Sequence, residues 1–182
     1  MVKKFAVVCT LLLCLFAAGC SDQSATVVTP QQEPKQTATA QAEKLEVTVY
    51  RTPVSGEEYL LPEKVQLTAG KMSAPEAALT ALVTGKPQES SKLENLFPQG
   101  TVVRSLKLEN GIAYVDFSKE IRNIPQGSYT ELMLTTAIVN TLTEFPEIKK
   151  VQILIEGKQV ASLKGHTDLL DPLERNTTLL KK

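Results

Sequence analysis

The sequence predicts an α+β fold in which two helices pack on one face of a small sheet of mixed strand direction. Three observations support this prediction. The first two are separate segments that each combine a serine capping box with apolar residues at helical spacing. The third is an Asn-Gly dipeptide that joins two segments of alternating apolar residues. Amphipathic helices must bury their apolar stripes on another element, and the apolar faces of the strands supply that surface.

The first folded segment is predicted to begin near residue 45. Leu45, Val47 and Val49 alternate with polar or aromatic residues, which is the two-residue period of a strand. Residues 59–62 and 65–67 predict a further, irregular pair of short strands.

The first helix is predicted to follow Ser73. The hydroxyl group of this serine can cap the helix, and Glu76, three residues later, can complete the capping box. Gly85 and Pro87 predict the end of the helix. Between these limits apolar residues recur at helical spacing, namely Ala78, Leu79, Leu82 and Val83.

A tight hairpin is predicted around Asn110 and Gly111, the dipeptide that most favours a two-residue turn. Folding about this turn places apolar residues opposite apolar residues on one face, so the turn and the pattern predict the same register. The predicted pairs are Leu108 with Ala113, Leu106 with Val115, Arg104 with Phe117, Lys107 with Tyr114 and Ser105 with Asp116.

The second helix is predicted from Ser128 to about Glu144, before Pro146. Ser128 and Glu131 form the second capping box. Two adjacent apolar stripes predict that this helix is largely buried. The first stripe contains Leu132, Val139 and Leu142, and the second contains Leu134, Ile138 and Phe145.

The last predicted elements are two strands joined by a turn. Residues 151–155 form a β-rich segment, and Gly157 with Lys158 predicts a turn into a final strand at residues 160–163.

The N-terminal residues have the layout of a bacterial lipoprotein signal. Lys3 and Lys4 precede an apolar segment at residues 5–16, which is too short to span a bilayer comfortably. Small residues then lead to Cys20, although Ala17 stands where such signals usually have leucine. From this layout we expect cleavage of residues 1–19 and lipidation of Cys20, including palmitate. Two or more acyl chains on this cysteine would give a stable membrane anchor. The alternative is an ordinary secretory signal that leaves Cys20 as a free thiol.

Composition divides the remaining chain into three parts. Residues 20–44 contain the lipidated cysteine and a segment rich in Gln, Thr, Ala, Ser and Pro, which predicts a disordered tether. Residues 45–170 form the predicted folded domain. Residues 171–182, which contain a proline and mixed charges, are predicted to be a flexible tail. Because of the predicted signal and the lipid on Cys20, the protein is expected on the extracytoplasmic face of the cell membrane.

Residues 110–118, with the sequence NGIAYVDFS, resemble the G-x-A-Y-V-D-F-S strand of the GerMN domain of sporulation and spore germination proteins. The Gly-Ser pair at 127–128 and residues 137–146 and 151–157 are similar to the helix and strand that follow it. The resemblance covers about residues 45–170 and implies a fold like that of ring-building modules. It also implies a non-catalytic domain of envelope lipoproteins in Gram-positive and spore-forming bacteria, with peptidoglycan nearby. Some members carry two copies, whereas this sequence has room for one.

Candidate catalytic groups lack the partners that catalysis requires. His166, the only histidine, lies near Asp168, but no second histidine can share a metal ion and no free cysteine is expected in the mature chain. Asp116, Glu120 and Asp168 are carboxylates of the kind used in glycoside hydrolysis, although solvated or capping roles are commoner. Ser118 lacks a G-x-S-x-G context. We therefore predict no enzyme, no metal site and no cofactor, and we expect His166 to fix a loop.

Two hypotheses of function remain. The first is a tethered interaction module that binds other envelope or sporulation proteins through a surface containing Tyr114, Asp116, His166 and Asp168. The alternative is a lipoprotein that binds a cell-wall fragment or another small envelope ligand, which requires a concave site. Predicted partners are the membrane, through Cys20, other envelope proteins and peptidoglycan. The chain has 20 basic and 20 acidic residues, so it lacks the positive charge of a nucleic-acid-binding protein.

Overall fold

The computed structural model describes residues 44–68 and 70–181. The predicted signal peptide, Cys20 and the predicted tether lie outside the described residues, except Lys44, with which the first strand begins. The described elements, in order, are β1 (Lys44–Pro53), β2 (Leu61–Thr68), α1 (Ala74–Thr84), β3 (Leu93–Glu94), β4 (Val103–Glu109), β5 (Ile112–Phe117), α2 (Ser128–Leu142), β6 (Lys150–Ile155), β7 (Lys158–Gln159) and β8 (Leu173–Glu174).

The predicted α+β class is confirmed, with two α-helices and strands of mixed direction in the described part of the chain. The strands form two sheets rather than one. The first sheet has the order β2-β1-β3, and the second has the order β4-β5-β6-β7, with β8 also paired to β6. Local patterns identify individual strands but not their distant neighbours, so the division into two sheets was not predicted.

The first sheet is antiparallel and contains one long strand where two short ones were predicted. β2 runs without interruption beside β1, with Val65 opposite Val47 and Pro62 opposite Tyr50. Pro62 lies on an edge strand, where a missing N–H group removes no hydrogen bond from the sheet. For this reason the proline does not divide β2.

The second sheet contains the predicted hairpin. Four of the five predicted residue pairs are observed between β4 and β5. The fifth is wrong, because an irregularity at Arg104 places Val103 opposite Phe117. Asn110 and Gly111 both have positive φ, 50° and 79°, as the tight turn requires. β5 and β6 are parallel, and α2 provides the crossover connection between them.

The first predicted capping box is confirmed at α1. The main-chain N–H of Ser73 donates to the Glu76 carboxylate at 2.8 Å, and the serine hydroxyl accepts from the N–H of Glu76 at 3.4 Å. The helix ends as predicted at Gly85, whose N–H donates to the carbonyl of Ala81 at 2.9 Å.

The second predicted capping box is wrong. Gly127, with φ of 140°, precedes α2, and no side chain caps this helix end. Glu131 is fully buried and binds a distant loop, so its carboxylate cannot also bind the start of its own helix. The burial of α2 is as predicted, although Leu132 is 38% exposed.

The C-terminal part differs from the prediction in two places. The strand after the Gly157 turn consists of β7 alone, and residues 160–163 leave the sheet. Residues 173–181, expected to belong to a flexible tail, are held against the domain. Leu180 pairs with Leu60, and Arg175 and Asn176 bind α2. The partners of this segment lie far away in the sequence, so its composition did not reveal them.

Both helices pack on β1 and on each other, and they share one hydrophobic core with the two sheets. Phe117, Leu79, Met133, Ile138 and Ile153 are among its fully or almost fully buried residues. Neither α-helix in the described residues has the length and apolar character needed to cross a membrane.

Candidate functional site

The predicted surface residues lie on two segments. Tyr114 and Asp116 are two residues apart on β5 and therefore share one face of the strand. His166 and Asp168 lie in the loop of residues 160–172, between β7 and β8. Gln152 links the two segments, because it is the β6 neighbour of Tyr114 and its side-chain amide donates to the carbonyl of Leu169 at 2.8 Å.

Asp116 is committed to contacts within the domain. It is 7% exposed, and its Oδ2 lies 3.0 Å from Nε of Arg104. Its Oδ1 accepts a 2.7 Å hydrogen bond from the N–H of Gly157. Arg104 also contacts Glu156 at 3.2 Å. The irregularity that shifts Arg104 in the hairpin thus accompanies a contact between β4 and the turn after β6.

Tyr114 is half-buried on β5, between Lys107 of β4 and Gln152 of β6 in register. Gln152 is almost fully buried. Tyr114 is therefore accessible at the surface only in part, and it remains a predicted contact residue.

His166 and Asp168 have exposed side chains. The main-chain N–H of His166 donates to Oε2 of Glu131 at 2.9 Å. Asp168 accepts a hydrogen bond of 2.9 Å from the N–H of Leu170 and so stabilises a local turn. His166 does help to fix the loop, as expected, but through its main chain.

Glu131 is the group that organises this loop, whereas its spacing from Ser128 predicted a capping role. Its side chain is fully buried near the beginning of α2. Oε1 accepts from the N–H of Leu163 at 2.8 Å, and Oε2 accepts from the N–H of His166. A carboxylate near a helix N-terminus is also favoured by the helix dipole. In the sequence, the one signal of this role is a charged residue at a position of a largely buried helix where an apolar residue is expected.

A second polar cluster holds the C-terminal segment to α2 and β1. Arg175 donates to the hydroxyl of Tyr50 at 2.7 Å and to the main-chain carbonyl of Asn140 at 2.9 Å. Tyr50 in turn donates to Glu144 at 2.8 Å. Burial, and next the hydrogen bond with Glu144, raise the pKa of Tyr50 above its ordinary value. The side chain of Asn140 exchanges two hydrogen bonds with the main chain of Asn176.

A third cluster fixes the end of α1. The buried guanidinium of Arg51 lies 2.7 Å from Glu63 and donates to the carbonyls of Ala81 and Leu82. A cation at this end of a helix interacts favourably with the last carbonyl groups. Glu63 also accepts from the N–H of Gln88 at 2.7 Å. These contacts explain the buried charges as structural ones.

The other candidate catalytic groups also have structural contacts. The hydroxyl of Ser118 accepts from the N–H of Val102 at 3.0 Å. The hydrogen bond with Ser118 lowers the pKa of Glu120. Within residues 44–68 and 70–181, no group of three His, Cys, Asp or Glu side chains is arranged to hold a metal ion.

Two concave surfaces are notable. One is a groove of about 240 Å³ between β2 and α1, and the other is a cavity of about 120 Å³ between α2 and the C-terminal segment. Neither contains the proposed contact residues Tyr114, Asp116, His166 and Asp168.

Comparison with known proteins identifies the family. The model of the Germane family, described as sporulation and spore germination, matches residues 22–161, which is well over half of the sequence. This chain belongs to the Germane family.

Named relatives agree with this membership. The spore germination protein GerM of Bacillus subtilis (strain 168) is 30% identical over 163 residues, which cover 84% of this chain and 42% of that protein. The tandem GerMN domains of the sporulation protein GerM from Bacillus subtilis match with a TM-score of 0.63 and 25% identity, over 72% of this chain and 46% of that one. The first GerMN domain alone matches with a TM-score of 0.60 and 26% identity, over 72% of this chain and 98% of the domain.

The chain thus spans less than half the length of the curated GerM relative, and it matches one complete GerMN domain of the solved structures. The predicted family resemblance is confirmed. The sequence patterns that suggested it lie in and around β5, α2 and β6.

Proposed function

We propose that this chain is a lipid-anchored envelope protein whose GerMN domain acts in sporulation or spore germination by binding other proteins. The observation that carries this proposal is the family match across residues 22–161, which includes most of the folded domain. The proposal adds three elements to family membership: the anchor at Cys20, the extracytoplasmic location and the assembly role.

The contacts of the polar residues support a non-catalytic role. Asp116 forms an ion pair with Arg104, and the carboxylate of Glu131 accepts hydrogen bonds from two main-chain N–H groups. A catalytic acid or base must instead reach a bound substrate within hydrogen-bond distance. The side chains of His166 and Asp168 are exposed, which suits a binding surface, although one oxygen of Asp168 also accepts from the N–H of Leu170.

The size of the concave surfaces favours a protein partner over a small ligand. Small-molecule sites usually enclose about 300–1,000 Å³. The groove and the cavity reach about 240 Å³ and 120 Å³. A cell-wall fragment therefore remains the less favoured alternative, and peptidoglycan is proposed as a surrounding rather than as a deeply bound ligand.

The anchor and the role can be tested together in the source organism. Cells that lack the gene would be complemented with the wild type, with Cys20→Ser, or with Ala17→Leu, which supplies the more usual signal residue. We expect palmitate labelling and membrane recovery for the wild type and Ala17→Leu but not for Cys20→Ser. We also expect Cys20→Ser to reduce sporulation or germination efficiency. Equal labelling of all three proteins would contradict the anchor, and normal spores without the gene would contradict the role.

A further inference from the structure

The groove between β2 and α1 is apolar and open along one side. Six of its lining residues define it: Val65 and Leu67 of β2, Met72 of the following turn, and Ala77, Thr80 and Thr84 of α1. Met72 is 45% exposed. The flexible side chain of methionine adapts well to apolar partners, so it suits a contact surface. The groove is thus bordered by a strand on one side and by a helix on the other.

The strand that borders the groove is the edge of its sheet. β2 pairs with β1 on one side, and among the described strands none pairs with its other side. In an antiparallel sheet, successive residues of a strand direct their main-chain N–H and C=O groups alternately to the two neighbouring strands. Just after β1, the N–H of Val54 donates to the carbonyl of Lys92 on the β3 side. The even-numbered residues of β1 therefore direct their main-chain groups toward β3 and away from β2. Odd residues of β1 oppose odd residues of β2, as Val47 opposes Val65. The main-chain groups of Gln66 and Thr68 therefore point outward from the sheet.

The first half of this outer edge is already protected. Leu60 exchanges main-chain hydrogen bonds with Leu179 and Lys181, at 2.7 and 3.2 Å. Pro62 has no N–H group, and the carbonyl of Lys64 accepts from the side chain of Gln88 at 3.2 Å. Such devices are the usual protection of sheet edges. They end at residue 64.

The second half of the edge lacks this protection. Within the described part of the chain, the outward N–H and C=O groups of Gln66 and Thr68 have no main-chain hydrogen-bond partner. Thr68 lines the open apolar groove, and Gln66 lies on β2 between the lining residues Val65 and Leu67. An added strand would find main-chain partners and an apolar surface at the same place.

The charges around the groove are mainly positive. Lys44 pairs in register with Thr68, Lys71 precedes Met72, and Lys86 follows Gly85, which also lines the groove. All three lysines are exposed, and none forms an ion pair with another described residue. Two carboxylates lie nearby: Glu76 is engaged in the capping box of α1, and Glu46, opposite Gln66 on β1, accepts from Lys64 and from the Gln66 side chain. The rim therefore favours an acidic partner.

We propose that the groove and the outer edge of β2 bind an extended, acidic segment of a partner protein. The segment would add a strand beside Gln66 and Thr68 and place apolar side chains against Val65, Leu67 and Met72. Its carboxylates would face the three lysines. Strand addition of this kind obtains affinity from main-chain hydrogen bonds and specificity from the side-chain groove. This inference adds a second contact surface to the proposed function and rests on that function for the choice of a protein partner.

Titration with synthetic peptides, followed by the amide resonances of the isotopically labelled mature chain carrying Cys20→Ser, tests the proposal. The probe is a heptapeptide that alternates valine with aspartate or glutamate. One control peptide replaces each acid by lysine, and another replaces the central residues by proline. We expect saturable shifts at Gln66 and Thr68 with the acidic peptide, and affinities at least tenfold lower with both controls.

Two variants make the test specific. Gln66→Pro removes an outward main-chain donor and keeps the main-chain hydrogen bonds to β1, although the side-chain hydrogen bond from Gln66 to Glu46 is lost, and it should weaken binding at least tenfold. Lys71→Glu combined with Lys86→Glu should reverse the preference toward the lysine peptide, even if the proline variant folds poorly. Leu108→Ala, at an exposed position on β4, is the matched control and should bind like the wild type.

Other occupants give different results. Concentration-dependent shifts at Gln66 and Thr68 without peptide would show a second copy of the chain, and peptide binding only after deletion of residues 22–43 would show the chain's own N-terminal segment. Either result, or saturable shifts confined to another surface, would overturn the proposal. Because this experiment is done without membranes or cells, its failure would leave the palmitate and spore assays unaffected.

Discussion

The main-chain N–H of His166 donates a 2.9 Å hydrogen bond to Oε2 of Glu131, across 35 residues of sequence. The donor lies in an exposed loop, while the acceptor is a fully buried carboxylate on α2. The other oxygen of the same carboxylate binds the N–H of Leu163. One side chain thus fixes the loop that presents His166 and Asp168.

Replacing Glu131 with alanine should lower the free energy of unfolding by about 2–4 kcal/mol, because two N–H groups would lose a charged acceptor. Urea unfolding of the chain from residue 20 onward measures this change. Glu131→Gln keeps one acceptor oxygen and should lose less. His166→Ala is the matched control, since the hydrogen bond comes from the main chain, and it should stay within about 0.5 kcal/mol of the wild type. A loss in His166→Ala as large as that in Glu131→Ala would contradict this account.

The two serines at the predicted capping boxes should respond differently to alanine. Ser73→Ala should cost about 1 kcal/mol, because this hydroxyl caps α1. Ser128→Ala should have almost no effect, because no side chain caps α2. Thermal or urea unfolding of the two variants side by side provides the comparison. Equal losses would show that Ser128 also acts as a cap.

Tyr50 should make stability depend on alkaline pH. Burial and the hydrogen bond with Glu144 raise its pKa above 10.0, so the folded protein holds this proton more tightly than the unfolded chain does. The stabilising contribution is complete below about pH 10 and is lost as the pH rises toward the raised pKa. As the pH rises above about 10, the free energy of unfolding should therefore fall more steeply in the wild type than in Tyr50→Phe. Parallel curves would exclude this linkage.

Arg175 should determine whether the C-terminal segment stays bound to α2. Arg175→Ala removes hydrogen bonds to Tyr50, Asn140 and Thr143, so amide hydrogen exchange in residues 173–181 should become faster. Lys158→Ala, on the exposed strand β7, is the control and should leave this exchange unchanged. Unchanged exchange in Arg175→Ala would mean that Leu179 and Leu180 hold the segment without the arginine.

The hairpin shows how far local sequence determines this fold. An Asn-Gly turn and an alternating pattern are both local, and together they predict the register of four residue pairs correctly. The first helix is also predicted at both ends, since its cap and its terminating glycine lie within the helix and its flanks. The error lies at Arg104, whose side chain contacts Asp116 and the distant Glu156, and neither contact is visible in the local pattern.

The remaining errors concern contacts between distant residues. Glu131 has the spacing of a capping box, but its partners Leu163 and His166 lie more than 30 residues away. Arg175 reaches Tyr50 across 125 residues, so the composition of the C-terminal segment did not reveal its attachment. The candidate site was therefore located only in part, because its loop is held by a residue that had been assigned to another role.

The central claim is that this domain assembles with other proteins at the cell surface during sporulation or germination. In-cell cross-linking and affinity isolation of the tagged protein, from growing and from sporulating cultures, tests this claim most directly. We predict that sporulation or germination proteins are recovered with the wild type from the sporulating culture only, and that Cys20→Ser loses them. Recovery of cell-wall material or wall enzymes in equal amounts from both cultures, without such proteins, would contradict the claim.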